Sequence, residues 1–177
     1  MTTRLLQTLL LLAFVAGPAH AQDAAKTRVL ALLSAIHELP ARSDFDAAAP
    51  NARDIVLAVA RDATVTGPHR TRALEALRYW PDDAAFAAYR LALETKAARH
   101  KTLRMLGATF GARALPVLTP YLRHADPQLR VTALEAVADV EGSAADALLS
   151  QALVVEAVPW VKRRLHRARA RQGRTVK

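Results

Sequence analysis

The sequence predicts an all-α fold, a solenoid of about four helical pairs, and three observations carry that expectation. First, one motif returns along the chain: Arg70-Thr71-Arg72-Ala73-Leu74-Glu75-Ala76-Leu77 is matched by Arg99-His100-Lys101-Thr102-Leu103-Arg104-Met105-Leu106 and by Arg130-Val131-Thr132-Ala133-Leu134-Glu135-Ala136-Val137, at steps of 29 and 31 residues. A fainter copy lies 31 residues further on, with Arg164, Leu165 and Ala168 in three of its slots. Second, leucine holds one column throughout, at Leu74, Leu103, Leu134 and Leu165. Third, the segment ahead of each motif repeats in the same register. Phe86, Tyr89 and Leu93 match Leu115, Leu118 and Leu122, and the last two match Leu149 and Leu153. Each unit therefore reads as an outer and an inner helix joined by a turn. A single such pair cannot bury its apolar face, whereas stacked pairs share one continuous core. A generic four-helix bundle needs no shared column register.

The elements follow in order. Residues 1–21 have the parts of a secretory signal peptide: a charged start at Arg4, an apolar run over residues 5–15, and a small-x-small ending at Ala19-His20-Ala21. That run is too short to span a hydrocarbon core of about 30 Å, so cleavage after Ala21 and a mature start at Gln22 are expected. Val29, Leu32, Leu33 and Ile36 then fall on one helical face, predicting a helix from Lys26 that stops before Pro40. Residues 41–50 carry turn formers and little periodicity, and read as a linker. The repeat domain occupies residues 51–171, with turns at Thr66-Gly67-Pro68, Ala125-Asp126-Pro127 and Val158-Pro159. Proline suits those positions because the first N–H groups of a helix have no intrahelical partner. Residues 172–177 read as a basic tail.

Charge is informative once located. The chain carries 25 Lys and Arg against 16 Asp and Glu, and its isoelectric point is about 10.8. Removing residues 1–21 takes away one cation, leaving a net charge of +8. Eight cations, Lys162, Arg163, Arg164, Arg167, Arg169, Arg171, Arg174 and Lys177, account for all of it, and no acid accompanies them. Residues 22–161 are formally neutral. The absence of cysteine removes disulfides from the account.

No catalytic signature emerges. His37, His69, His100, His124 and His166 form no metal-ligand spacing, the glycines form no phosphate loop, and Ser143 and Ser150 lie in no nucleophile elbow. The adjacent acids Asp82 and Asp83 follow Pro81, where they favour a helix N-terminus. No enzyme activity, metal or cofactor is therefore expected.

The stretch Asp126-Pro127-Gln128-Leu129-Arg130-Val131-Thr132-Ala133-Leu134-Glu135-Ala136-Val137 resembles the inner helix of a HEAT repeat with its leading Asp-Pro turn. The resemblance covers residues 51–170. The short period is similar to the HEAT-like repeats also found in phycobilin lyase relatives, although no motif beyond the repeat itself points to bilin attachment. What the resemblance implies is a right-handed α-α superhelix that presents its inner helices on a concave, protein-binding surface. It also implies an inter-repeat Asp–Arg pairing, which maps onto Asp126 and Arg130.

Two binding candidates follow. Spacing of three residues places Arg72 with Glu75, Lys101 with Arg104, Thr132 with Glu135, and Arg163 with His166 on one exposed inner-helix stripe. The second candidate is the basic segment 162–177. The expected function is an exported, non-catalytic HEAT-repeat scaffold in the periplasm or medium. It would act as a monomer binding another exported or envelope protein, with the basic segment meeting an anionic membrane surface or envelope polymer rather than nucleic acid. The alternative is an accessory or regulatory subunit of an envelope enzyme, or a remnant repeat enzyme using Arg104, His100 and His166.

Overall fold

Alternating outer and inner segments need a breaker between them, and the chain supplies one at nearly every junction. A computed structural model describes residues 18–35, 38–65 and 68–175, with side chains as far as residue 170. Among the described residues every regular element is helical. The α-helices are α1 (Pro18–Leu33), α2 (Arg42–Ala48), α3 (Ala52–Arg61), α4 (Pro68–Ala76), α5 (Asp83–Ala92), α6 (Lys96–Phe110), α7 (Leu115–Leu118), α8 (Pro127–Ala138), α9 (Ser143–Val155) and α10 (Pro159–Thr175). The fold class read from the sequence is thus correct in its coarse form, all-α.

Pairing follows the repeat. The helices group as α3 with α4, α5 with α6, α7 with α8, and α9 with α10, and the inner helices α4, α6, α8 and α10 touch in succession. The leucine column is the reason. Leu74, Leu103, Leu134 and Leu165 are buried, as are Leu77, Leu106, Val137 and Ala168 one turn later. From the outer side, Tyr89, Leu118 and Leu149 enter the same core. Packing is close where α6 meets α8: a β-carbon on Gly107 would stand 2.2 Å from the Ala136 carbonyl oxygen.

Start signals behave as the chemistry requires. Asp82 caps α5 by accepting the Ala85 N–H (2.8 Å), and Asp126 caps α8 by accepting the Gln128 N–H (2.9 Å) ahead of Pro127. Pro68 and Pro159 open α4 and α10. Residues 66 and 67 of the first expected turn, and residues 1–17 of the expected signal peptide, lie outside the described residues.

Four readings are corrected. The first helix ends at Leu33, not at Pro40. There the Ser34 hydroxyl bonds back to the Leu30 carbonyl (2.8 Å), and Arg72 of α4 takes the Ala35 carbonyl, diverting the backbone toward α4. The expected linker contains helix α2. The Ala41 N–H donates to Asp44 (2.8 Å), and Phe45 is buried against the rings of Tyr79 and Trp80. The outer segment of the third pair is not one helix: Pro116 and Pro120 leave only a single α-helical turn, α7, between 3-10 segments Gly111–Ala114 and Thr119–Arg123. Finally, the expected tail at 172–177 is helical as far as Thr175, so α10 runs through the predicted boundary.

Candidate interaction face

The inner helices aim one set of side chains into the core and the opposite set outward, because positions three and four apart share a helix face. The outward set is where the sequence places its candidate stripe. Glu75 accepts from Lys101 of the next inner helix (2.5 Å) and from Arg72 of its own helix (3.5 Å). His100 Nδ1 lies 2.8 Å from the Thr132 hydroxyl across the α6–α8 seam. Since that hydroxyl donates to the Gln128 carbonyl (3.0 Å), the imidazole is the donor. Arg164 reaches Glu135 from α10 at 3.8 Å. Much of the predicted stripe is therefore a row of polar links tying each inner helix to the next.

Two predicted positions change character. Thr132, expected on the exposed stripe, is buried between α6 and α8. Arg72 is largely covered by its bond to Ala35. What the stripe leaves exposed is Arg104, Arg163 and His166, none of which has a polar partner among the described residues. His100 and Arg104 share one face of α6 and His166 lies on α10, and among the described residues no hydrogen bond or ion pair joins any two of them.

The expected Asp126–Arg130 pairing is also corrected. Asp126 spends its carboxylate on the α8 N-terminus. Arg130 instead makes a bidentate pair with Glu156, at 2.8 and 2.9 Å, between the third pair and the fourth. Both are largely buried, with side chains 13% and 6% exposed. The Arg130 hydrogen bonds hold the Glu156 carboxyl below its ordinary range despite burial, which acts the other way. The arginine column has a second, shared task. Arg70 donates to the Ala60 carbonyl, Arg99 to Leu93 and Arg130 to His124, so each one caps the end of the outer segment before it. Asp82 makes the corresponding link between the first and second pairs. Burial opposes its ionisation, but the Ala85 N–H and Arg53 outweigh that and lower its pKa.

In the basic segment, Val161, Leu165 and Ala168 are buried while Lys162, Arg163, Arg164, Arg167 and Arg169 are exposed. Positions 171 and 174 lie in α10 beyond the described side chains, and Lys177 lies outside the described residues.

Sequence reasoning missed a cavity of about 520 Å³ between α1 and α3, lined by Lys26, Leu30, Ile55, Val59, Asp62 and His69 among others. Nothing in the repeat announces it, because α1 lies outside the register. At its edge His69 Nε2 lies 2.7 Å from the Ser34 hydroxyl. That hydroxyl gives its proton to Leu30, so the imidazole donates and is not placed to act as a base on serine. Among the described residues no group of three His, Asp or Glu side chains could hold a metal ion, and no helix is long and apolar enough to cross a membrane. Comparison with protein-family models, with curated proteins and with solved structures returns no match.

Proposed function

We propose that this chain is an exported, monomeric HEAT-like scaffold, a right-handed superhelix of four helical pairs whose inner-helix face binds another envelope or secreted protein. One observation carries the reading: α4, α6, α8 and α10 touch in succession and leave Arg104, Arg163 and His166 exposed along one row. Stacked pairs make an extended recognition surface of this kind. Unpaired arginines suit a protein partner, since arginine is enriched at the centres of interfaces. Export is read from the sequence of residues 1–21, and the expected cut after Ala21 falls within α1, which begins at Pro18. Residues 20–24 are exposed and the first buried side chain described is Ala25, so the chain from Gln22 keeps every buried residue that the structure describes.

The test is capture from envelope extract with the chain starting at Gln22, alongside the variant Arg104→Glu. We expect a discrete partner retained by the parent and lost by the variant, with the two proteins melting at the same temperature. Equal capture by both would remove the inner-helix face from the account.

A further inference from the structure

The terminal helical pair joins two features that water alone does not explain. Val154 and Val155, in the last turn of α9, are 82% and 63% exposed. Trp160, in the first turn of α10, is half-buried at the core's edge. Trp160, Arg163, Arg164 and Arg167 follow at i, i+3, i+4 and i+7, the spacing of one helical face. Arg123 lies with Val155 along a small crevice. Of the acids beside this face, Glu156 is taken by Arg130 and Glu135 by Arg164 at 3.8 Å, which leaves Arg163 and Arg167 as its unpaired cations. An uncovered aliphatic corner thus stands beside exposed cations of α10 and beside Arg123.

We propose that this corner docks the protein on an anionic lipid surface. Headgroup phosphates meet Arg123, Arg163 and Arg167, while Val154, Val155 and Trp160 enter the interfacial layer. The proposal rests on the reading above that the chain is exported to an envelope. The apolar side of α10 is already buried through Val161, Leu165 and Ala168, so the helix does not itself insert. It lies on the surface as a rigid cationic bar whose guanidinium groups pair with phosphate oxygens. A soluble polyanion would engage the arginines equally but would leave the two valines in water. A lipid interface takes up both, with tryptophan at headgroup depth.

The experiment uses the chain from Gln22 with Trp80→Phe, so that Trp160 alone reports fluorescence. It is mixed with vesicles of phosphatidylcholine, with or without phosphatidylglycerol, and separately with inorganic polyphosphate. We expect salt-sensitive co-sedimentation with the anionic vesicles alone, and quenching of Trp160 by brominated lipid. Arg163→Gln/Arg167→Gln should weaken partitioning roughly 30-fold at low salt. Val154→Ser/Val155→Ser should weaken it about fivefold or more, leaving polyphosphate binding unchanged. If the valine variant binds vesicles like the parent and Trp160 is not quenched, the lipid proposal is overturned while the scaffold reading stands. Binding to polyphosphate but not to vesicles overturns it as well, and identifies the partner as a soluble anion.

Discussion

At the scale of single residues, the junctions between pairs are the sensitive points. Gly107 shows why glycine is required where α6 crosses α8: its missing side chain is the space the Ala136 carbonyl occupies. Gly107→Ala should lower stability by about 1–3 kcal/mol through forced separation of the two helices, read as a shift in denaturant midpoint without loss of helix content. The Arg130–Glu156 pair gives a second prediction. Because the folded-state carboxyl titrates below its ordinary 4.5, the ionised pair stabilises the fold above about that pH. Its contribution disappears as pH falls through the lower, folded-state value. Glu156→Gln should cost roughly 1–3 kcal/mol at neutral pH, by leaving a largely buried guanidinium half-satisfied. It should also flatten the acid limb of the stability curve, and an unchanged limb would show that other carboxylates govern it. At the alkaline end, burial raises Tyr89 to about 12 from 10, with its hydroxyl on the Leu74 carbonyl. Stability should accordingly decline between pH 10 and 12.

At the scale of elements, legibility in the sequence tracked length and repetition. The inner helices were readable because four copies of one column all solve the same burial problem, and Asp126 with Pro127 marked a start that the structure uses as a cap. Asp126→Ala should therefore cost about 1 kcal/mol in thermal unfolding. Helix α2 was hidden because seven residues are too few to show a period, and its single anchor, Phe45, finds partners some 35 positions away at Tyr79 and Trp80. The end of α1 was misplaced for a related reason: proline sets the latest possible stop, whereas contacts from α4 impose an earlier one. In the candidate face, spacing located the outward positions but not their partners. Glu75–Lys101 and His100–Thr132 join residues 26 and 32 apart, and no local rule pairs them. Arg130–Glu156 was missed because the acid stands in a turn outside the repeated motif.

For the whole molecule, charge and apolar exposure divide the chain into a neutral body and a cationic end. Residues 22–161 balance formally, and the excess lies on α10 and the residues after it. The buried positions of α10 end at Ala168. Deleting residues 169–177 should thus leave cooperative unfolding intact, with helix content lowered only by the last turns of α10, while removing part of the positive charge, as circular dichroism and ion-exchange retention would register. The central claim, that the row of inner helices is the surface that meets a partner, has one direct measurement. A photo-crosslinking amino acid is placed at position 104 on α6, and in a second protein at position 87 on the exposed side of outer helix α5, each in the chain from Gln22 and each irradiated with envelope extract. The account predicts a discrete adduct from position 104 and none from position 87. The same adduct at both positions, or one from position 87 alone, would contradict it.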